Sequence, residues 1–261
     1  MASGAALATR DLTVRFGGVT AVDHLSLAID KSRLTGIIGP NGAGKTTIID
    51  AVSGLVRSTG EIELNGRPIS HWRPYRRAQA GIGRTFQGVE LFDEFTVLEN
   101  LLIPAEAGRR WSFLRDLVLP RANRESLRRA TEALDRVGLA HWAQVKPPQL
   151  SLGERKLVTI ARALSGGGDV LLLDEPAAGL NSEATLELGE KLRELVRSDL
   201  SVVLVDHDMG LVLNVCDVIH VLDFGKLIAS GTPDEIRSNE GVIDAYLGQE
   251  GHAQTVEAEV V

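Results

Sequence analysis

The sequence predicts an α/β fold with a parallel sheet at its core, antiparallel strands near its start and a helical segment in its middle. The continuous apolar runs "VLLLD" and "SVVLV" are typical of parallel strands that are buried on both faces. The patterns of "DLTVRF" and "HLSLAID" indicate antiparallel strands. From about Arg73 to Ala163 the chain is rich in arginine and has helical periodicity instead of strand patterns.

The first half of the chain contains a strand, a loop, a helix and a hairpin in that order. "RLTGIIG" predicts a buried strand that leads into the glycine-rich "GPNGAGKTT", and "TIIDAVSGL" predicts the helix that follows. "GEIELNGRPI" predicts a hairpin that turns at Asn65 and Gly66. A strand, a glycine-rich loop and a helix in succession predict a binding site at the junction.

The second half contains an amphipathic helix, two strands and a terminal hairpin. One face of the helix predicted in "RESLRRATEALDRVGL", which Gly138 should end, carries Leu127, Ala130, Leu134 and Val137. "SEATLELGEKLRELVRS" predicts a helix between the two apolar strands, and a hairpin should turn at Phe224 and Gly225. "TPDEIRS" predicts a short helix capped by its threonine.

Length and charge limit the classes of function. The chain has 261 residues and a formal net charge of -7, which argues against a nucleic-acid-binding protein. Its single cysteine, Cys216, excludes an intrachain disulfide and predicts a small buried side chain. The longest apolar stretch is broken by charged residues, so we expect a cytoplasmic protein that depends on another chain for any work at a membrane.

The segment "GPNGAGKT", Gly39 to Thr46, matches the phosphate-binding pattern G-x-x-x-x-G-K-[ST] at every fixed position. Gly42 and Gly44 allow backbone N–H groups to surround phosphates, and the helix N-terminus adds partial positive charge. Lys45 can then reach the β- and γ-phosphates, while the Thr46 hydroxyl can bind Mg²⁺. The motif predicts an NTPase or a kinase.

The segment "VLLLDEP" places two carboxylates after a buried strand. Asp174 falls at the carboxyl end of that strand, where it can hold Mg²⁺ beside the phosphate loop. Glu175 can act as the base for an attacking water, which an ATPase needs and a kinase does not. This pair favours hydrolysis.

Three further positions are weaker signals on their own. His207 follows another apolar strand, where it can sense a γ-phosphate, although an isolated histidine there is more often structural. Gln87 lies in the loop "GRTFQGVELF" and by itself would be an ordinary loop residue. "LSLGE", which includes Ser151, resembles the signature "LSGGQ" with two letters changed.

Together and in this order, the motifs resemble those of ABC transporter ATP-binding subunits, from about Leu12 to Gly248. The resemblance implies an α/β P-loop NTPase cassette. This cassette has a RecA-like parallel-sheet core, an N-terminal antiparallel β subdomain and an α-helical signature subdomain. It should be one domain over residues 7–248, with the helical subdomain inserted at about 88–163 and a disordered tail over 249–261.

The resemblance also implies residue roles, with ATP and Mg²⁺ as the ligands. The implied catalytic residues are Glu175, His207 and Gln87. The residues implied to contact Mg²⁺ are Thr46, Gln87 and Asp174. The nucleotide-binding residues are Phe16, which stacks on adenine, and Gly39, Pro40, Asn41, Gly42, Ala43, Gly44, Lys45, Thr46 and Thr47. The signature residues Ser151, Leu152, Gly153 and Glu154 act on the nucleotide of the opposite subunit of a head-to-tail dimer.

Finer features, including "GIGRTFQGVELF" and the near-terminal "VIDAYLG", resemble the larger of the two ATPase types of branched-chain amino acid importers. The implied partners are membrane permease subunits, a second ATP-binding subunit of the same or a different kind and, indirectly, an extracytoplasmic solute-binding protein. The location that the resemblance implies is the cytoplasmic face of the membrane. Cassettes for urea or amide import or lipid export, non-transport ABC ATPases and P-loop kinases are the alternatives.

Several side chains depart from the family pattern or have two interpretations. Leu152 must point its side chain away from the phosphate, and Glu154 in place of glutamine is a mild change. Phe92 and Phe95 can anchor the permease, although we expect at least one to pack in the core. The segment that follows Phe95 is rich in arginine, which predicts a solvated helix face; contact with anionic lipids is the weaker hypothesis. These residues are Arg109, Arg110, Arg115, Arg121, Arg124, Arg128 and Arg129.

Overall fold

A computed structural model of the chain describes residues 4–86, 88, 91–106, 124–197 and 199–245, without the side chains of 104–106. The strands are β1 (Ala5–Phe16), β2 (Val19–Asp30), β3 (Leu34–Ile38), β4 (Thr59–Leu64), β5 (Arg67–Pro68), β6 (Ile82–Arg84), β7 (Val170–Asp174), β8 (Ser201–Val205), β9 (Val218–Asp223) and β10 (Lys226–Gly231). The predictions for Gln87, for Arg109, Arg110, Arg115 and Arg121 and for the tail over 249–261 lie outside the described residues.

Helices occupy both faces of the larger of the two sheets, which has six strands. They are α1 (Lys45–Ser53), α2 (Pro74–Gln79), α3 (Val97–Glu106), α4 (Arg124–Arg136), α5 (Leu152–Ser165), α6 (Ser182–Val196), α7 (Met209–Val215) and α8 (Pro233–Arg237), with 3-10 turns at Ala140–Trp142 and Pro147–Gln149. None of the described helices is long and apolar enough to cross a membrane.

The strands form the two predicted sheets. An antiparallel sheet has the order β2-β1-β4-β5, and its β4–β5 hairpin turns at Asn65 and Gly66 as predicted. The larger sheet has the order β10-β9-β3-β8-β7-β6, and all its neighbours are parallel except the β9–β10 hairpin. The carboxyl ends of β3, β7 and β8 therefore meet at one edge of this sheet, where open α/β sheets place their ligands.

Helix α1 lies between the two sheets. Its Ile48 and Ile49 are buried in one apolar cluster with Val14 of β1 and Val203 of β8. Helices on the opposite face of the larger sheet cover a second cluster, which includes Leu101, Leu134, Ile160 and Leu192. Adjacent residues of β8 enter different clusters, which confirms the prediction of strands that are buried on both faces.

One apolar position of α4 was predicted wrongly. Ala130, Leu134 and Val137 are buried as expected, and Gly138 follows the helix end with a positive φ of 78°. Leu127, however, is 41% exposed. It lies in the first turn of α4, next to the buried Ser126, and its side chain leans toward the helix N-terminus.

A buried arginine fixes the carboxyl end of α1. The Arg77 guanidinium, 3% exposed, donates hydrogen bonds to the carbonyls of Ala51 (2.7 Å) and Val52 (2.8 Å). It also donates to the carbonyls of Ser70 (2.7 Å) and Trp72 (3.0 Å). Burial lowers the pKa of Arg77, and its charge stabilises the negative end of the helix dipole.

Replacing Arg77 with methionine should lower the free energy of unfolding by about 3 kcal/mol or more, because four backbone carbonyls lose a charged donor. Urea unfolding at neutral pH measures this change. The matched control is Arg76→Met at an exposed position of the same helix, where we expect a change of at most about 0.5 kcal/mol. Equal stabilities of the two variants would contradict the role of Arg77 as a helix cap.

Candidate active site

The loop from Gly39 to Gly44 connects β3 to α1 and is packed tightly against the neighbouring chain segments. Gly39 has a φ of 153°, and a Cβ atom there would lie 2.2 Å from the Leu222 carbonyl oxygen. Gly44 has a φ of 96°, and its Cβ would lie 2.3 Å from the Ala21 carbonyl oxygen. Glycine is required at both positions because the backbones of β2 and β9 approach the loop too closely for a side chain.

Lys45 begins α1 and folds back over the loop. Its Nζ donates to the carbonyls of Gly39 (2.7 Å) and Pro40 (2.9 Å), and only 7% of the residue is exposed. Burial lowers the pKa of Lys45, and the nearby carboxylates, Glu175 first, oppose part of that shift. The ammonium group thus lies at the centre of the predicted phosphate loop.

The predicted metal-binding pair meets across the sheet edge. The Thr46 hydroxyl donates to Oδ1 of Asp174 at 3.2 Å. Asp174 ends β7, and β8 lies between β7 and β3, the strand that leads into the loop, so this contact spans three strands of the sheet. Asp174 is 2% exposed. Burial raises its pKa, and the Thr46 hydrogen bond and the Arg84 charge only partly offset that shift. No group of three or more acidic, histidine or cysteine side chains suited to a metal occurs in the described ranges.

Arg84 is a member of the site that sequence reasoning missed. At the end of β6, its Nη1 lies 2.6 Å from Oδ1 of Asp50 on α1, and its Nη2 lies 3.8 Å from Oδ2 of Asp174. The guanidinium carbon is 4.8 Å from the centre of the Phe86 ring. Arg84 therefore links Asp174 to the segment that leads directly into Gln87. The only sequence signal for Arg84 was its position in "GRTFQ", three residues before Gln87. A single arginine forms no motif, so this position did not predict a role.

Glu175 and His207 lie next to each other beyond the strand ends. Oε2 of Glu175 is 3.9 Å from Nδ1 of His207. Glu175 has a left-handed φ of 47°, which costs about 1–2 kcal/mol in a residue other than glycine. Its N–H donates to the Val205 carbonyl at 2.7 Å, so β8 holds it in this conformation.

Asp206 supports this arrangement and was also missed. It is fully buried, and its carboxylate accepts N–H groups from Ala177 (3.2 Å) and Asp208 (3.0 Å). Its Oδ1 is 3.6 Å from Nδ1 of His207. Burial raises the pKa of Asp206, while these hydrogen bonds and His207 counteract the shift. One carboxylate thus ties the loop after β7 to the loop after β8.

The signature segment forms the N-terminus of α5. The Ser151 side chain accepts from the Glu154 N–H at 3.3 Å, and the Ser151 N–H donates to Oε2 of Glu154 at 2.8 Å. This pair is a capping box. In the described part of the chain, no hydrogen bond joins these residues to the phosphate loop. The chain brings Lys45, Thr46, Asp174, Glu175 and His207 together, and the signature lies apart.

Leu152 points toward the segment Ala177–Asn181 of its own chain. A Cβ placed on Gly179 would lie 3.5 Å from Cδ2 of Leu152, and one placed on Gly153 would lie 3.6 Å from Cβ of Ala184. Leu152 is 43% exposed. Its side chain therefore packs beside the loop after β7.

Three aromatic residues that the sequence singled out lie on the surface. Phe16, at the end of β1, is 51% exposed. Phe92 and Phe95 are 51% and 44% exposed, with ring centres 5.7 Å apart. The expectation that one of them packs in the core was wrong: Asn100 accepts the Phe92 N–H and holds this turn outside the apolar cluster.

Comparisons with known proteins agree with these observations. A family model described as "ABC transporter" matches residues 22–178, and one described as "Branched-chain amino acid ATP-binding cassette transporter" matches residues 226–252. The high-affinity branched-chain amino acid transport ATP-binding protein LivG of Salmonella typhimurium is 41% identical over 249 residues, or 93% of this chain and 98% of that protein.

Solved structures are similar over the same extent. The ADP conformation of MJ1267, an ATP-binding cassette of an ABC transporter, has a TM-score of 0.84 and 31% identity, covering 94% of this chain and 99% of its own. A dimeric post-hydrolysis state of the cassette MJ0796 bound to ADP and Pi has a TM-score of 0.71 and 26% identity. The match covers 87% of this chain and 98% of the MJ0796 chain.

The capping box predicts a pH-dependent difference between Glu154 variants. Burial raises the pKa of Glu154, but the Ser151 and Trp142 hydrogen bonds and the His141 charge bring it below its usual value. The ionised Glu154 carboxylate therefore stabilises the folded state fully when the pH is above the pKa that this group has in the unfolded chain. This stabilisation is lost as the pH falls through the pKa that the group has in the folded chain. Glu154→Gln keeps an acceptor for the Ser151 N–H without a charge. Its deficit in unfolding free energy relative to wild type should disappear in acid.

Denaturant unfolding between neutral pH and a pH well below the usual carboxyl pKa of about 4.3 measures this difference, because the loss occurs as the pH falls through the lower folded pKa. Glu154→Ala, which removes the box, should lose about 1 kcal/mol at neutral pH. A constant difference between wild type and Glu154→Gln across this range would contradict the assignment.

Proposed function

Because the chain belongs to the ABC transporter family, we propose that it is the ATP-hydrolysing subunit that powers a membrane importer of branched-chain amino acids. The fold and family expected from the motifs are confirmed by the family model, the LivG relative and the solved cassettes. The observation that carries the proposal is the meeting of the phosphate loop with Asp174, Glu175 and His207 at one sheet edge.

The loop from Gly39 to Thr47 is proposed to bind the phosphates of ATP. Its N–H groups and Lys45 supply the positive charge, and Phe16 offers an exposed ring for the adenine. Thr46 and Asp174 present a hydroxyl and a carboxylate oxygen, which fit Mg²⁺ because that ion usually takes one or two protein oxygens and completes its shell with phosphate and water. When bound, Mg²⁺ would neutralise charge that develops on the phosphates.

Glu175 is proposed as the base of hydrolysis. Its carboxylate lies beside His207 and beyond the strand end, where it can accept a proton from the attacking water. His207 can then contact the γ-phosphate. Gln87, by the family pattern, adds a further contact to the metal and connects the site to the permease.

A second ATP-binding subunit is proposed to complete the site. Within one chain, Ser151 and Gly153 lie at the start of α5, apart from the phosphate loop. A head-to-tail dimer would present the α5 N-terminus of one subunit to the nucleotide of the other, and an anion is stabilised at such a helix end. The dimeric MJ0796 structure supports this arrangement. The second subunit can be a copy or a different chain of the same type.

The permease is proposed to dock in a groove of about 460 Å³ between the helical segment and the sheet. Leu55, Tyr75 and Phe86 line it, and they are 50%, 54% and 47% exposed. Phe86 directly precedes Gln87, and Arg84 extends from the same wall to Asp174. Docking would place the chain at the cytoplasmic face of the membrane, with a solute-binding protein acting on the far side.

The match of residues 226–252 to a branched-chain amino acid model and the LivG relative support the choice of substrate. Reconstitution with candidate permease and binding-protein chains tests it. The prediction is that leucine, isoleucine or valine bound to its binding protein stimulates ATP hydrolysis. Stimulation by urea alone would overturn the substrate assignment and leave the ATPase assignment intact.

Glu175→Gln should lower turnover by about 100-fold or more, because it removes the base but keeps the shape of the side chain. It should still bind ATP and should form an ATP-dependent dimer in gel filtration. Phosphate release measures the rate, and Glu183→Gln, on the exposed start of α6, is the matched control. Wild-type turnover in Glu175→Gln would exclude Glu175 as the base.

Lys45→Ala should weaken ATP binding by at least about tenfold, since a charged contact to phosphate contributes roughly 1.5–3 kcal/mol. Titration with a fluorescent ATP analogue measures the affinity. Lys191→Ala, on the surface of α6, should leave the affinity unchanged. Equal affinities for wild type and Lys45→Ala would contradict the phosphate-loop assignment.

A further inference from the structure

A cleft of about 760 Å³ lies at the carboxyl end of α1, away from the phosphate loop. Its walls are the outer face of β1, the turn that follows α1 and the segment from Ser70 to Arg77. Because α1 has nine residues, this end lies about 13 Å from the end that carries Lys45. Its size is in the range of small-molecule sites.

Arginines dominate the charge of this cleft. Arg15, Arg57 and Arg73 line it, and all three are exposed. None of them has a carboxylate within 4.0 Å among the described residues, and no described residue of the lining is acidic. The chain as a whole has a net charge of -7, so the charge of this cleft is opposite in sign to that of the protein.

The arginines stand on a rigid base. Arg77 forms the floor, where its hydrogen bonds to four carbonyls fix both the end of α1 and the segment from Ser70 to Trp72. Trp72, which is partly buried, contributes an apolar wall. His24, in contrast, lies 3.6 Å from an oxygen of Asp11, so we do not count it among the cations that face a ligand.

We propose that this cleft binds a small molecule that carries phosphate groups. Guanidinium groups match phosphate oxygens with paired N–H donors, and three of them around one cleft favour more than one negative charge. A cleft lined by one sign of charge also concentrates the electric field and the counter-ions. The apolar wall of Trp72 fits the carbon skeleton of a phosphorylated metabolite or the glycerol region of a phospholipid headgroup.

Inorganic pyrophosphate is the probe, and Lys45→Ala is the background that removes competition from the phosphate loop. Calorimetric titration should show saturable, salt-sensitive binding at one site. Adding Arg57→Ala and Arg73→Ala should weaken binding by about tenfold or more. The control pair, Arg67→Ala and Arg197→Ala, removes two exposed arginines outside the cleft and should leave the affinity unchanged.

Co-sedimentation with vesicles distinguishes the two sources of phosphate. Vesicles of phosphatidylcholine with phosphatidylglycerol, but not of phosphatidylcholine alone, should recruit the protein through Arg57 and Arg73 if the ligand is a lipid headgroup. Pyrophosphate binding without recruitment assigns a free phosphorylated molecule. No saturable binding in either experiment, or equal losses in both double variants, would overturn the proposal.

The ATPase rate separates this proposal from the proposed function. In the otherwise wild-type chain, Arg57→Ala with Arg73→Ala should retain ATP hydrolysis, because neither residue touches the phosphate loop or the carboxylates. Loss of pyrophosphate binding with normal ATPase activity supports a second site. A loss of ATPase activity equal to the loss of pyrophosphate binding would indicate that these arginines serve the ATP site instead, and would overturn the second site.

Discussion

The position of α1 between the two sheets is the constraint on which the rest of the structure depends. Apolar residues of both sheets enclose the helix, and polar contacts fix its two ends. At one end Lys45 holds the loop carbonyls, and at the other Arg77 holds those of the last turn. Because both ends are fixed, the helix N-terminus and its dipole have a defined direction toward the edge of the larger sheet.

Burial of charged groups at that edge is tolerated because opposite charges and hydrogen-bond donors are close by. Asp174 and Asp206 are almost inaccessible to water, and burial raises the pKa of each. Lys45, Arg84 and two backbone N–H groups offset part of that cost. These groups of opposite charge match the proposed ligand, a metal–nucleotide complex, which also carries charge of both signs and can replace these internal contacts.

The sequence predicted the parts of the site that depend on local backbone geometry. The loop before Lys45 and the strand before Asp174 are short motifs, and each has little freedom once its strand is formed. Burial was harder to predict, as Leu127 and Phe92 show, because it depends on which elements cover a position. Arg77, Arg84 and Asp206 were missed because each joins segments that are distant in the sequence; the Arg77–Ala51 contact spans 26 residues. The roles assigned to the site residues, including Gln87, and the bounds of the domain and its tail remain predictions.

The capping box at Ser151 also determines the polarity of its hydroxyl group. A serine oxygen has two lone pairs and one hydrogen, and the N–H of Glu154 occupies one lone pair. The hydrogen is directed at the Glu154 carboxylate, where a hydrogen bond from the Ser151 side chain opposes the effect of burial and helps to lower the pKa of Glu154. Glu154 binds the Ser151 N–H and so fixes the backbone that carries this hydroxyl. A glutamate at this position therefore orders the serine in advance, so little ordering entropy remains to be lost on contact, but it also competes with any incoming acceptor for the hydroxyl hydrogen.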